Sequence, residues 1–250
     1  MTAQEIAGAS VLVTGASRGF GRAIATALAK AGAQVVGVSR DRTRLAELRA
    51  ELGPGFTPVV ADAADPVSAG QLIDQYRPSV LVLNAGASPL ARPLHRHTWQ
   101  TFSRNWDVDV QQAFNWTREA LLLPLDPGSV VIALSSGAAV AGSPLSGGYA
   151  GAKAAIRFLT GYAAAESERE GRGIRFISLL PKLTPATELG SAAVAAYAAR
   201  DGQDVAAYLE KTGPALTVEQ VGQSLLDLVV DSGNDRDAYL LTAAGLAPLT

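Results

Sequence analysis

The chain contains no cysteine among its 250 residues. This excludes disulfide bonds, thiolate nucleophiles and cysteine-ligated zinc sites. It has only two histidines, in the run His95-Arg96-His97, and no cluster of carboxylates accompanies them. Because zinc normally takes three or four protein ligands, we predict a polar loop at this run and no metal site.

Charge and long apolar runs are also scarce. Charged residues make up 18% of the chain and the formal net charge is −2, so the basic footprint of a nucleic-acid-binding protein is missing. No apolar stretch is long enough to span a bilayer. Residues 1–10 include Glu5 and do not form a signal-peptide pattern. We therefore expect a cytoplasmic protein that binds neither nucleic acid nor a membrane.

What the chain does have is an alternation of short apolar runs with longer amphipathic segments. Such alternation predicts a parallel sheet with helices on both faces. The length suits one α/β domain over residues 1–250. The predicted strands are Ser10–Thr14, Gln34–Ser39, Thr57–Ala61, Ser79–Asn84, Ser129–Ser135, Ile174–Leu180 and Ala238–Thr242. The predicted helices are Gly19–Ala31, Arg42–Leu52, Val67–Tyr76, Trp99–Leu122, Tyr149–Glu170 and Thr217–Val230.

A glycine-rich turn joins the first predicted strand to the first helix. Gly15 permits a tight turn, Gly19 lets the backbone approach a pyrophosphate, and Gly21 lets the helix pack closely on the sheet. The helix directs its free N–H groups and positive dipole end toward that site. A plain strand–helix turn is the alternative. The position of the turn favours a dinucleotide cradle in a single Rossmann-type, doubly wound parallel sheet.

Tyr149 and Lys153 lie four residues apart in a predicted helix, so they share one face. A free phenol has a pKa of about 10. A cation about 4 Å away, at an effective dielectric of about 20, favours phenolate by about 4 kcal/mol. The pair is thereby suited to general acid–base catalysis. The alternative is an ordinary exposed pair on a helix.

Taken together, these motifs resemble the short-chain dehydrogenase/reductase family, whose signature is Thr-Gly-x-x-x-Gly-x-Gly. The resemblance runs from about Ser10 to Leu180. It rests on four motifs, which are Thr14 to Gly21, Asp62, Asn84-Ala85-Gly86, and Ser136 with Tyr149 and Lys153.

The resemblance implies a Rossmann-type oxidoreductase that interconverts a ketone or aldehyde and an alcohol by hydride transfer. In it, Tyr149 exchanges the proton, Ser136 binds the substrate oxygen, and Lys153 holds the ribose hydroxyls of the nicotinamide. Ser135 is a competing serine, but the family's spacing favours Ser136. The nicotinamide cofactor carries the hard part of the chemistry.

We expect NADP rather than NAD. NAD-binding versions of this fold place an acid at the end of the second strand, where this chain has Ser39. Arg40 and Arg18 can flank a 2′-phosphate, although Arg40 alone could be a solvated residue. By resemblance Asp62 accepts from the adenine amino group, and capping its own turn is the alternative. The predicted cofactor contacts are Thr14, Gly15, Ser17, Arg18, Gly19, Phe20, Gly21, Ser39, Arg40, Asp62, Ala63, Asn84, Ala85, Gly86, Tyr149, Lys153, Pro181 and Thr184.

Two residues depart from the family pattern. Asp109 stands where the family usually has a catalytic asparagine, and Lys182 stands where a glycine usually follows the proline. We include Asp109 in the predicted catalytic set with Ser136, Tyr149 and Lys153. An ionised Asp109 would partly cancel the effect of Lys153, whereas a protonated one could donate like the amide.

The segment around residues 181–214 is predicted to form a lid and substrate wall. Thr184 or Thr187 could reach the carboxamide of the cofactor. Four apolar or aromatic residues could line the wall or belong to the core, namely Leu183, Leu189, Tyr197 and Tyr208.

The resemblance also implies a homo-oligomer, and both a dimer and a tetramer remain open. Two rival functions use the same fold. One is an NADP-binding sensor or regulatory subunit with little turnover, and the other is an enzyme of dehydration or epimerisation. The sequence does not identify the substrate or the direction of the reaction.

Overall fold

The computed structural model describes residues 3–231, 233 and 236–249. The strands of these residues are β1 (Ser10–Thr14), β2 (Gln34–Ser39), β3 (Phe56–Val60), β4 (Val80–Leu83), β5 (Val130–Leu134), β6 (Arg175–Pro181), β7 (Ala238–Thr242) and β8 (Gly245–Pro248). They form one sheet in the order β3-β2-β1-β4-β5-β6-β7-β8. All neighbours pair in parallel except β8, which runs antiparallel to β7.

Helices connect the strands and cover the sheet. None of the described helices is both long and apolar enough to cross a membrane. Short 3-10 turns occupy Gly53–Gly55 and Leu94–Arg96, and a π-helical turn occupies Trp106–Val110. The α-helices are α1 (Ala3–Ile6), α2 (Gly19–Lys30), α3 (Arg42–Leu52), α4 (Pro66–Tyr76), α5 (Trp99–Ser103), α6 (Gln111–Leu122), α7 (Ala138–Ala141), α8 (Gly147–Arg169), α9 (Glu188–Arg200), α10 (Val205–Thr212) and α11 (Val218–Val230).

The two faces of the sheet bury separate apolar clusters. Alternating residues of a strand point to opposite faces, so Val11 and Val13 join one cluster and Leu12 the other. On the first face the sheet packs against residues of α2 and α11, including Ile24, Leu28, Leu225 and Val229. On the second face it packs against residues of α4, α6 and α8, including Ile73, Trp116 and Ile156. The predicted parallel sheet with helices on both faces is therefore confirmed.

One predicted helix is wrong. The segment 99–122 is broken into α5, the π-turn and α6 rather than forming one helix. The N–H groups of Asp109 and Val110 both donate to the carbonyl of Asn105, at 2.8 and 3.2 Å. The second of these bonds spans five residues, which inserts one extra residue into the turn. The sequence reading also missed β8 and the two helices α9 and α10.

The strand order reverses direction between β1 and β4, since β2 and β3 lie to one side of β1 and β5 lies beyond β4. In open α/β sheets, ligands bind outside the carboxyl ends of the strands at such a switch point. This edge of the sheet is therefore where a binding site is expected.

Candidate active site

A cleft of about 850 Å³ opens at this edge of the sheet. Its volume lies in the range of about 300–1,000 Å³ that is usual for sites of small ligands and cofactors. The four predicted catalytic residues, Ser136, Tyr149, Lys153 and Asp109, all line it. All the predicted cofactor contacts line it as well, apart from Thr14 and Gly21.

Thr14 and Gly21 lie behind the wall of the cleft instead. The Thr14 hydroxyl is fully buried and accepts the backbone N–H groups of Asn84 and Ala85, at 2.9 and 3.1 Å. It also bonds Gln112 Oε1 at 2.7 Å. A Cβ at Gly21 would collide with the carbonyl oxygen of Gly15. These two residues therefore shape the cradle and do not face a ligand.

The N-terminus of α2 is open to the cleft. Its N-cap residue is Arg18, and among the described residues no side chain caps it and no acid lies in its first turn. Gly19 has a φ of +53°, and the nearest atom to a Cβ built there is Thr187 Cγ2 at 3.5 Å. Unpaired N–H groups at a helix N-terminus bind phosphates readily. The residues present thus fit the pyrophosphate of a dinucleotide.

The strand β2 ends in a polar cluster that forms the rim of the cleft, namely Ser17, Arg18, Ser39, Arg40 and Asp62. Ser39 donates from Oγ to Ser17 Oγ at 2.9 Å. Arg40 pairs with Asp62 at 3.4 Å, with both side chains largely exposed. Asp62 also accepts the N–H of Ala64 at 3.0 Å. The carboxylate therefore caps its own turn, as the alternative reading allowed, while it still lines the cleft.

A four-residue ion-pair cluster joins the rim to the start of α9. Glu188 pairs with Arg18 and, at 3.2 Å, with Arg44. Arg44 also lies 3.6 Å from Asp41. Sequence reading found Arg18 but missed Glu188 and Arg44. Glu188 lies 170 residues from Arg18 along the chain, and no local pattern signals such a pair.

Lys153 is buried at the opposite end of the cleft. Its ammonium donates to the carbonyl of Leu134 at 3.0 Å and pairs with Asp109 at 3.2 Å. It also lies 5.6 Å from the centroid of the Tyr149 ring. An ammonium has three donors, so these two partners leave one N–H for the cleft.

The charge state of Lys153 reflects opposing effects. Burial lowers its pKa, but the negative charge of Asp109, the Tyr149 phenol and the hydrogen bond to Asp109 together raise it above its ordinary value. The lysine is thus held as a cation in a buried position, which a buried charge tolerates only with such partners.

The Asp109 carboxylate is surrounded by donors. Besides Lys153, it accepts the N–H of Ala87 at 2.8 Å and the side-chain amide of Asn105 at 3.4 Å. A Cβ at Gly86 would lie 2.8 Å from Oδ2, so glycine makes room for the acid. Asn105 lies four residues before Asp109, so the two side chains share one face of the turn.

The two serines that follow β5 have different partners. Ser135 is buried and donates to the backbone carbonyl of Lys153 at 2.7 Å. Ser136 is half-buried and accepts the N–H of Ala138 at 3.2 Å. Among the described residues no acceptor is recorded for its hydroxyl proton. Ser136 is therefore the serine that can donate to a ligand oxygen.

The 181–214 segment forms a wall of the cleft through α9 and α10. The rings of Tyr197 and Tyr208 stack with centroids 6.4 Å apart, and both line the cleft with Leu183 and Leu189. The Tyr197 hydroxyl bonds Ser143 Oγ. Burial, together with the nearby Tyr197 and Asp201, raises the pKa of Tyr208.

Thr184 and Thr187 also line the cleft, but their hydroxyls serve the protein. Thr184 is buried and donates to the carbonyl of Leu216, and it accepts the N–H of Ala186 at 3.2 Å. Thr187 caps α9 by accepting the N–H of Gly190 at 3.0 Å. In both threonines, the hydroxyl that was predicted to reach the carboxamide is therefore bonded to another part of the protein.

Among residues 3–231, 233 and 236–249, no group of three or more histidines and acids is placed to hold a metal ion. His97 instead bonds Thr101 Oγ1 at 3.1 Å and the carbonyl of Arg92 at 3.2 Å.

Known proteins are similar to this chain in sequence and in fold. Serine 3-dehydrogenase of Rhizobium radiobacter is 34% identical over 183 residues, covering 69% of this chain and 70% of that protein. L-xylulose reductase of Bos taurus is 30% identical over 231 residues, covering 90% and 91%. The crystal structure of NAD+-bound xylitol dehydrogenase covers 95% of this chain and 99% of its own, with a TM-score of 0.84 at 19% identity. The similarity to xylitol dehydrogenase shows the fold alone.

The match to a family model extends over most of the chain. Residues 9–198 fit the family described as short chain dehydrogenase, a span that runs from the first strand through the cradle and catalytic cluster into α9. The chain therefore belongs to the short-chain dehydrogenase family of NAD(P)-dependent oxidoreductases.

Proposed function

We propose that this protein is an NADP-dependent oxidoreductase that interconverts a carbonyl and an alcohol, with Tyr149 as the general acid and base. The observation that carries the proposal is the convergence of Ser136, Tyr149 and the buried Lys153 in one cleft with an open helix N-terminus. Bound NADP would supply or accept the hydride at the substrate carbon.

Tyr149 exchanges the proton at the substrate oxygen. The Lys153 ammonium lies 5.6 Å from the centroid of the Tyr149 ring, so its positive charge acts on the phenol. Asp109 removes part of this effect because its negative charge lies only 3.2 Å from the ammonium. Ser136 donates to the same substrate oxygen and holds it beside the phenol.

The direct test of this role is the substitution Tyr149→Phe. We expect kcat to fall by about 10²–10⁴-fold, the usual contribution of general acid–base catalysis, with the affinity for NADPH retained. Tyr162→Phe is the matched control, since Tyr162 lies exposed on the same helix. Oxidation of NADPH with a panel of ketones of graded size measures the effect, and an equal loss in both variants would contradict the proposal.

The proposed preference for NADP over NAD is supported by the residues at the rim of the cleft. Arg18 and Arg40 line the cleft, and Ser39, not an acid, ends β2. A 2′-phosphate would take the place of Asp62 and Glu188 as partner of the guanidiniums. We expect Arg40→Ala to raise KM for NADPH about tenfold or more, since a charged hydrogen bond is worth about 1.5–3 kcal/mol. KM for NADH should change little, and Arg42→Ala, exposed just beyond the rim, is the control.

One observation favours the rival function of a weakly catalytic NADP-binding sensor. The ion pair with Asp109 offsets the cation that activates Tyr149. Turnover separates the two functions, because an enzyme oxidises NADPH in the presence of a ketone whereas a sensor only binds it.

We also propose that the protein is a homo-oligomer. Large apolar side chains are exposed on neighbouring α6 and α8, namely Phe114, Leu122, Phe158 and Tyr162. An apolar face of this kind is typical of a protein interface. Light scattering coupled to size exclusion should give a dimer or tetramer for the natural chain and a smaller species for Phe158→Asp.

A further inference from the structure

The four cations that line the cleft are not equally matched by acids. Arg18 pairs with Glu188, Arg40 with Asp62, and Lys153 with Asp109. Lys182 lines the same cleft, but no carboxylate among the described residues lies within ion-pair distance of it.

Lys182 lies beside the catalytic serine. The N–H of Gly137, the residue after Ser136, donates to the carbonyl of Pro181 at 2.9 Å. A Cβ built on Gly137 would lie 3.6 Å from the Cα of Lys182. The lysine therefore leaves the end of β6 next to the turn that presents Ser136, and its flexible four-carbon stem can move its charge along the wall of the substrate end.

Its ammonium has one recorded partner, the carbonyl of Thr212 at 3.1 Å. Thr212 ends α10, and a cation at a helix C-terminus stabilises the helix. This contact uses one of the three ammonium donors and leaves the side chain exposed. Capping α10 thus accounts for one donor but leaves two directed at no described group.

We propose that Lys182 binds a carboxylate of the substrate, so that the enzyme acts on short hydroxy acids and the matching oxo acids. This inference rests on the proposed function and identifies its substrate class. A carboxylate fits better than a phosphate, because phosphate sites gather several donors, such as arginines or a helix N-terminus. Here a single lysine acts next to the negative end of a helix.

The test compares short 2- and 3-hydroxy acids with their methyl esters, which have similar shape but no charge. Each is oxidised with NADP+ and with NAD+ by the natural chain, Lys182→Met, Lys182→Arg and Lys211→Met. Lys211 is a matched control because it is an exposed cation in the same last turn of α10 that does not line the cleft.

We expect the ratio of kcat/KM for an acid to that for its ester to fall about tenfold or more in Lys182→Met, as loss of a charged hydrogen bond predicts. Lys182→Arg should restore much of the ratio, and Lys211→Met should keep it. As a readout independent of turnover, the acid should raise the melting temperature of the natural chain more than that of Lys182→Met.

Equal loss for acid and ester in Lys182→Met, or no loss, would overturn the inference, since a capping role does not distinguish the two substrates. Turnover of neutral ketones or alcohols without the acids would overturn it while the proposed function stands. A larger Lys182 effect on dihydroxyacetone phosphate against dihydroxyacetone would overturn the carboxylate assignment. Absence of turnover with every substrate and both cofactors would overturn the proposed function and this inference together.

Discussion

The two ends of the cleft each carry ion pairs, but they differ in their exposure to water. The Lys153 and Asp109 side chains are 7% and 1% exposed, whereas those of Arg18 and Glu188 are 53% and 61% exposed. Exposed pairs contribute about 0–1 kcal/mol, so a ligand can replace one partner at little cost. Breaking a buried pair leaves a charge without compensation. The exposed end is therefore suited to exchanging an ion-pair partner for a ligand, and the buried end is suited to holding a fixed charge.

The largest expected effect is on stability. Asp109→Leu leaves Lys153 buried without its counter-charge and should lower the free energy of unfolding by roughly 3–5 kcal/mol. Glu188→Leu at the exposed end should lower it by no more than about 1 kcal/mol. Urea unfolding measures both, and the double variant Asp109→Leu/Lys153→Met should recover most of the loss. Similar losses of unfolding free energy in the two single variants would contradict the difference between the buried pair and the exposed pair.

A second effect concerns the pH dependence of activity. Asp109→Asn removes the negative charge that opposes Lys153, so the proton on Tyr149 should be lost more easily. In the direction of alcohol oxidation, we expect the pH of half-maximal kcat/KM to fall. Asp107→Asn, an exposed acid on the same turn, is the control. An unchanged profile would mean that the acid has no electrostatic effect on the phenol.

The same pair should make stability depend on alkaline pH. The pKa of Lys153 is raised in the folded chain, so its contribution is fully present below the unfolded value of about 10.4. It is lost as the pH rises through the folded pKa. Asp109→Asn removes the main group that raises this pKa. We therefore expect the difference in melting temperature between the two chains to narrow as the pH rises above about 10.4, and a constant difference would contradict the pKa shift.

The smallest effect is expected at the exposed end. Glu188→Gln frees Arg18 from its carboxylate, so KM for NADPH should fall about two- to fivefold, in line with the weak energy of exposed pairs. KM for NADH should stay within error. Glu51→Gln, which breaks the exposed pair with Arg22 outside the cleft lining, controls for net charge. A parallel change for both cofactors would mean that Glu188 acts on α9 and not on the 2′-phosphate.

The sequence predicted the sheet closely, and the reason is burial. Each of the seven parallel strands was placed within one residue at either end. Six of them are mostly buried and appear as short apolar runs, whereas β3 at the sheet edge is largely exposed. The final strand, Gly245–Pro248, was missed since its residues are half-buried or exposed at the sheet edge. The helix α9 was missed because its alanine-rich segment shows little contrast between faces, and α10 was missed because it is only eight residues long.

The four residues proposed as catalytic, which line one cleft, could be selected from the sequence because they are close in sequence or belong to a recognised motif. Asp109 was expected near Lys153 from its place in the family pattern, but Glu188 was not expected near Arg44, which lies 144 residues away along the chain. Ser135 and Ser136 illustrate the same limit. The motif spacing chose between them, but only the hydrogen bond from Ser135 to the Lys153 carbonyl explains why the first is committed to the protein.

The π-turn at Trp106–Val110 makes chain length matter at this point as much as residue type. Deleting one residue from the turn would restore a regular helix and rotate its two flanks by about 100° relative to each other. With Gln111–Leu122 anchored in the core, deleting Val110 would swing the acid away from the lysine although every side chain proposed as catalytic were still present. A relative that differs here by one inserted or deleted position would therefore have a different active site despite identical motifs.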